Sequence, residues 1–564
     1  MTTFEGPPLD STPGIGALTL GGFLRDAAAA HGPREALVFD DPLDDGRTHR
    51  RSYAELAGDA HRLARGLVAA GVSPGDTVGV VMGNRPETVA AIFAIGLSGA
   101  VAAPMSTFAS RAELAAMIER TGASLVLTQP RLRRRELADE VTGIAADVAA
   151  AAGRAPRVVS IASAAWDELL AAGDGLAAGD GLDAAGLDAA GLDTRVGPDD
   201  PALVIFTSGT TSRPKAILHS HRAVCLQSWL QAAIFGRGAE TRMYSALPLF
   251  WTAGLNTAMG ATLAAGGCWV MHEVFDAGEA LALMARERVT EPYTLPHQTA
   301  ALAEHPAWAG TDLSALRCVY GKSAFARHPR VTGDPGWNMP VGYGLSETCA
   351  FVSGYASTTS RERMRIGAGP IVAGTRVRIV DPSDGRPAGV GETGEIAVAG
   401  PTLMLGYLDG AAPIDDDGFF HTGDLGCVDA DGVLHFEGRT TEMIKTGGAN
   451  VAPAEIEVQL RRLPEITLSR IIGVPDARLG EAVVACVVLR DGSTLDADGV
   501  REFLRPLVAA YKVPRHVLVV DEADMPMTGT DAKVRDDALR TLAVARLASA
   551  AGPDRSNSAT AGDR

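Results

Sequence analysis

Phe206-Thr-Ser-Gly-Thr-Thr-Ser-Arg-Pro-Lys215 follows directly on the apolar run 202–206, which reads as a buried strand. Five hydroxyl side chains, one glycine and two cations share this loop. That composition suits a phosphate chain: backbone N–H groups and the hydroxyls of Thr207, Ser208, Thr210 and Thr211 can surround the oxygens, Gly209 allows close approach, and Lys215 supplies charge. A plain Ser/Thr-rich turn is the competing reading. The Walker arrangement, in which Lys-Ser/Thr follows a second Gly, is absent, which disfavours P-loop kinases.

Working outward, residues 50–130 alternate helical patterns with short strands, for example a helix at 53–70 and strands at 77–82 and 124–128. Such alternation predicts a parallel sheet covered by helices, hence an α/β fold. Residues 171–194 repeat Ala-Ala-Gly-Asp-Gly-Leu and Ala-Ala-Gly-Leu-Asp, too short and glycine-rich for a solenoid, and read as a flexible surface insertion. The α/β pattern resumes at 201 and runs to about 439. A smaller unit follows, with strands expected at 470–474, 482–489 and 516–520 and helices at 454–462 and 496–507. The polar tail beyond 552 reads as disordered.

At 564 residues the chain has length for three or four folding units, and 46% hydrophobic residues suffice for a large core. A formal net charge of -17 argues against a nucleic-acid partner, whose phosphates an acidic surface repels. The six cysteines lie far apart without metal-ligand spacing and read as buried thiols of a reducing cytosol. The start lacks the basic and apolar regions of a signal peptide. The uncharged stretch 89–110 has the length of a membrane span, but Gly96, Gly99 and Pro104 divide it into a buried helix and a core strand. No membrane span is expected, and the protein reads as cytoplasmic.

Four further segments carry candidate chemistry. Leu247-Pro-Leu-Phe-Trp-Thr-Ala-Gly-Leu255 alone reads as a core strand leaving through a turn. Tyr343-Gly-Leu-Ser-Glu-Thr348 places Glu347 in a small-residue turn, as a helix-start acid or as a partner for Mg²⁺, which usually takes one carboxylate plus phosphate oxygens. His421-Thr-Gly-Asp-Leu425 offers Asp424 as an acceptor for ribose hydroxyls. The segment 438–457, with Arg439, Thr441 and Gly447-Gly448, joins the two halves.

In this order these segments resemble the superfamily of acyl-CoA synthetases, peptide-synthetase adenylation domains and luciferases (the ANL superfamily), over about residues 56–540. The resemblance implies a large N-terminal domain, 1–439, of layered βαβ subdomains with a beta-barrel part, and a small mobile α+β C-terminal domain, 440–548. A tail, 549–564, completes the expected organisation. It implies an AMP-forming acid–thiol ligase that uses ATP, Mg²⁺ and coenzyme A. One arrangement makes acyl-AMP from acid and ATP; the other admits a thiol that displaces AMP. Carried over residue by residue, Thr207 to Lys215 takes the β- and γ-phosphates, and Thr210 and Glu347 match Mg²⁺-associated, catalytic positions. Gly321-Lys-Ser-Ala-Phe325, with Ser323 and Ala324, matches the adenine-side loop. Tyr343, with Gly344 and Ser346 beside it, stacks on adenine, while Asp424 and Arg439 hold the ribose. Trp251 gates a thiol tunnel, Gly447 and Gly448 let the backbone approach pantetheine, and Thr441 takes the hinge position. Gly254, His297, Cys349 and Ala350 fall at the acyl pocket, with Gly254, Ala258 and Ala350 suggesting room for a bulky group.

Three segments depart from the family pattern: the phosphate loop, the hinge and the lysine loop. Ser212 and Ala216 replace glycines of the phosphate loop, and each Cβ costs on the order of 1 kcal/mol if the backbone there is left-handed. Thr441 replaces the usual Asp or Lys. Pro526-Met-Thr-Gly-Thr-Asp-Ala-Lys533 carries one residue more than the family's lysine loop, a displacement of roughly 3.3–3.6 Å in extended chain. The resemblance makes Lys533 the catalytic lysine of adenylation, either carried back to the site by a bulge in the loop or displaced from it. The expectation is therefore a CoA ligase for a hydrophobic carboxylic acid, competent mainly on preformed acyl-AMP, with a separate adenylating enzyme as its supplier. The alternatives are a ligase that loads a carrier protein, a luciferase-like oxygenase and an inactive acyl/AMP-binding homologue.

Overall fold

The computed structural model describes residues 2–152, 155–177, 192, 196–207, 215–334, 336–382, 385–410, 412–439, 444–446, 449–451, 453–476, 478–508, 512–526 and 534–551. They gather into two compact units: Met1–Arg378 with Ala397–His421 and Val428–His435, and Ile379–Ile396 with Thr422–Cys427 and Phe436–Arg564.

The first unit carries a seven-stranded sheet in the order Gly406–Tyr407, Lys215–Ser220, Pro201–Thr207, Val101–Pro104, Thr77–Val81, Leu125–Thr128 and Arg157–Ser160. The run from Pro201–Thr207 to Arg157–Ser160 is parallel, and Lys215–Ser220 and Gly406–Tyr407 add antiparallel edges. Both faces are buried, which is why these strands read as continuous apolar runs. Leu203 and Ile205 enter one core while Val204 and Phe206 enter another. A second sheet, ordered Glu291–Pro292, Arg242–Ser245, Cys268–Met271, Glu35–Asp41 and Arg47–Ser52, contributes Leu37, Phe39, Trp269 and Met271 to the first of those cores. In a third, barrel-like sheet Phe4–Glu5 pairs antiparallel with Arg376–Val380. The ambiguous stretch at 89–110 resolves into the buried helix Pro86–Leu97, a turn at Gly99 (φ +82°) and the buried strand Val101–Pro104. Its 12 residues span about 18 Å, and among the described residues no helix is long and apolar enough to cross a membrane.

Three expectations need correction. The segment 171–177 is not a flexible stretch: it completes the helix Ala164–Ala177, which packs on the helix Tyr53–Ala69, while 178–191 and 193–194 of the expected insertion lie outside the described residues. A Cβ on Gly173 would lie 2.2 Å from the Arg62 carbonyl oxygen, and one on Gly66 2.2 Å from that of Leu169. Gly173 and Gly66 therefore serve close helix contact. Residues 549–551 likewise belong to the helix Asp536–Ala551 rather than to a tail. Ala216 lies in the strand Lys215–Ser220 opposite Phe206 and is absent from the left-handed residues, so it carries no strain.

The second unit holds a sheet ordered Ala449–Val451, Ile444–Thr446, Gly480–Leu489 and Ile466–Asp476, with His516–Val519 parallel to Gly480–Leu489. Along Gly480–Leu489, Val483, Ala485 and Val487 pack with Ile456, Leu460, Val500 and Leu504, while Ala482, Val484, Cys486 and Val488 pack with Leu539 and Ala543.

Candidate active site

The parallel strands Val101–Pro104 and Pro201–Thr207 end side by side, and the crevice beyond the carboxyl ends of such strands is the usual place for a ligand. The chain returns as Lys215–Ser220, pairing Lys215 opposite Thr207. Residues 208–214, including Ser208, Gly209, Thr210, Thr211 and Ser212, lie outside the described residues. Lys215 is exposed, and its Nζ donates to the Tyr407 hydroxyl at 3.3 Å from 5.0 Å above the Tyr407 ring centre. The same hydroxyl donates to Glu347 Oε1 at 2.9 Å. Burial, reinforced by the Glu347 carboxylate, pushes the Tyr407 phenol well above its ordinary range.

Glu347 sits on the single turn Ser346–Thr348 after the strand Gly342–Leu345, which pairs with Ala350–Gly354 across a register shift at Tyr343/Gly344. Only glycine fits at 344, because a Cβ would fall 1.8 Å from the Ala350 carbonyl oxygen. The turn closes through left-handed Cys349 (φ 60°) and Ala350 (φ 152°), a strained pair that is held in place. Gln227 Nε2 donates to the carbonyls of Thr348 and Phe351 at 3.2 and 2.7 Å, and buried Cys349 donates its thiol to Asn256 Oδ1 at 3.4 Å. Tyr343 is buried on its strand, and Ser346 is half-buried. Ser323 and Ala324 are half-buried in the turn before Phe325–Arg327, with the Ser323 hydroxyl donating to the Tyr320 carbonyl at 2.7 Å.

In the second unit Asp424 is buried on the strand Phe420–Val428, with Arg439 Nε 3.0 Å from its Oδ1. Its backbone is held in turn: Asp424 N–H donates to the Thr422 hydroxyl, which donates to the Ile396 carbonyl, and Gly423 N–H donates to Glu395. Sequence reasoning paired Asp424 with Arg439, and the structure brings them together. Thr441, Gly447, Gly448 and Lys533 lie outside the described residues.

The sequence pattern described as AMP-binding enzyme matches residues 24–408, and that described as AMP-binding enzyme C-terminal domain matches 455–531. The chain belongs to the AMP-binding enzymes. A feruloyl-CoA synthase from Amycolatopsis sp is 36% identical over 487 residues, which cover 85% of this chain and 91% of that one. An indoleacetate–CoA ligase from Aromatoleum aromaticum is 35% identical, covering 89% and 96%. Among solved structures, ATP-bound MatB from Rhodopseudomonas palustris superposes with a TM-score of 0.73 at 29% identity, covering 93% and 98%. These place the chain in the acyl-CoA ligase branch of the ANL superfamily, as an AMP-forming acid–CoA ligase.

Within this AMP-binding enzyme the segment 247–255 is not the strand it resembles. The strand Arg242–Ser245 ends first, and the chain turns into the wide helix Ala253–Gly260. Trp251 is half-buried at that turn, its ring against Phe108 and Phe250. Gly254 is buried, and a Cβ there would lie 2.0 Å from the Pro248 carbonyl oxygen, so the turn admits only glycine at this position. Ala258 and Cys349 are core residues, Ala350 is half-buried, and His297 is exposed on the first turn of Pro296–Glu304. The residue that sequence reasoning missed is Tyr407. No local pattern marks it, because its partners are 192 and 60 residues away along the chain.

Proposed function

We propose that this enzyme joins an apolar, aromatic carboxylic acid to coenzyme A through its acyl-adenylate. The observation that carries the reading is the convergence of Lys215 and Glu347 on one phenol at the carboxyl end of the parallel sheet. The aromatic acids in the names of its feruloyl- and indoleacetate-ligating relatives support the substrate class.

In the first half-reaction an acid oxygen attacks the α-phosphorus of ATP, forming the acyl–phosphate bond as pyrophosphate leaves with the P–O electron pair. Lys215 offsets charge on the phosphate chain. Tyr343, Ser323 and Ala324 are the residues for adenine, and Asp424 and Arg439 those for the ribose. Among the described residues no three His, Cys, Asp or Glu gather as a cage. A single carboxylate with one oxygen on a neutral donor suits Mg²⁺ shared with phosphate oxygens; Glu347 and Thr210 would hold it, and it would neutralise the phosphates. In the second half-reaction the thiol sulfur attacks the acyl carbon, its proton passes to solvent, and AMP leaves.

The proposal extends to the balance between the steps. Lys533 and Ser212 fall on adenylation, so adenylation is the slower half-reaction and supplied acyl-AMP the better substrate. The test compares thioester yield from a panel of aryl and aliphatic acids plus ATP with yield from their synthetic adenylates. Aliphatic acids outperforming aryl acids would remove the substrate class. Equal rates by both routes would remove the imbalance.

A further inference from the structure

We propose that Tyr407 is a positioning residue that keeps Lys215 and Glu347 apart and available to a polyphosphate. The inference rests on the acid–CoA ligase reading and deepens its nucleotide site. Lys215 and Glu347 are oppositely charged and share one hydrogen-bonding partner, yet no ion pair joins them among the described residues. A direct pair would occupy the ammonium and the carboxylate, the two charges that a phosphate chain and its cation require. A phenol is suited to prevent this, because its oxygen accepts from the ammonium while its proton goes to the carboxylate. Its ring adds a surface over which the Lys215 ammonium lies.

The backbone around Tyr407 ties the same two elements. Met404 N–H donates to the Glu347 carbonyl at 2.8 Å, Leu405 N–H to the Leu218 carbonyl at 2.8 Å, and Leu408 N–H to the Ala216 carbonyl at 2.9 Å. Residues 404–408 therefore strap the strand that begins at Lys215 to the turn that presents Glu347. Tyr407 stands where the strap crosses between them, opposite Ile217. Its hydroxyl touches no reacting atom; it acts through its two neighbours.

The test is Tyr407→Phe in the full chain, which keeps the ring beneath Lys215 and removes only the hydroxyl. Calorimetric titration with ATP and Mg²⁺ is expected to show binding weakened about tenfold, the effect of a lost charge-assisted hydrogen bond. AMP, which lacks the β- and γ-phosphates, is expected to bind within about twofold of wild type. A general loss of structure would weaken both nucleotides alike, and that result overturns the proposal, as does unchanged ATP binding. A double-mutant cycle covers a variant that melts early: in the Lys215→Ala background, Tyr407→Phe is expected to add less than about twofold to the loss of ATP affinity. Full additivity overturns the proposal. Failure of the ligase reading looks different. Wild type would then bind ATP more tightly than Tyr407→Phe yet form no thioester from any acid. A wild type that binds no ATP removes both.

Discussion

Glu347 in the first unit and Asp424 in the second are the carboxylates of the two candidate clusters, and their surroundings differ in kind. Glu347 is half-buried and takes a hydrogen bond from a neutral phenol. Asp424 is buried, with a guanidinium 3.0 Å away. A carboxylate already beside a cation has little left to offer a metal but can still accept from neutral hydroxyls. One held by a neutral donor keeps its charge for an incoming cation. The difference teaches that two acids alike in sequence are prepared for different partners by what stands next to them.

The largest effect expected from breaking this contrast is at Asp424. Asp424→Ala removes the buried carboxylate proposed to accept from the ribose hydroxyls, a loss of charge-assisted hydrogen bonds, so both acid-plus-ATP turnover and thioester formation from supplied acyl-AMP should fall by about 10²-fold. A deficit confined to one assay would show that Asp424 does not serve AMP in both steps. Next in size is Glu347→Ala. Its effect should reach about 10²-fold on acid-plus-ATP turnover but stay below about threefold on acyl-AMP, because a cation on the leaving pyrophosphate matters only in the first step. Equal losses would put the two carboxylates in the same role.

A smaller effect sharpens the contrast through pH. His219, on the strand that begins at Lys215, has its pKa lowered to about 4 by burial, despite the opposing influence of the Ser346 backbone; burial lowers His221 to about 4 as well. A histidine whose folded pKa lies below its unfolded value of 6.5 is favoured neutral in the native state. Stability is then complete above pH 6.5 and is lost as pH falls toward 4, because the unfolded chain binds the proton first. Each should destabilise the first unit by about 2 kcal/mol at pH 5 relative to pH 7. Denaturant unfolding at the two pH values measures it, and His219→Asn should flatten the slope by about half. An unaltered slope would assign the acid sensitivity elsewhere.

Much of the architecture was legible because it is written locally. Alternating helix and strand patterns located most elements within a few residues, and the polar loop after 202–206 marked the end of a parallel strand that reaches Thr207. Readings failed where one composition serves two physical ends. The glycines at 171–177 signal flexibility in a free chain, yet Gly173 lets a helix approach another backbone. Leu247–Leu255 has the apolar run of a strand, and a turn and a wide helix take it instead.

By itself, then, the order of residues determined a parallel α/β sheet with a polar, cationic loop after one strand, and it offered Lys215, Glu347 and Asp424 as candidates for phosphate, Mg²⁺ and ribose, with Arg439 added by resemblance to a family. The sheet and the first three candidates need only short-range periodicity and the chemistry of single residues. Tertiary structure alone decided which neutral or charged partner each acid received. Tyr407 meets Glu347 across 60 positions and Lys215 across 192. Such a meeting depends on how a strand edge and a turn are strapped together, and no local pattern encodes it.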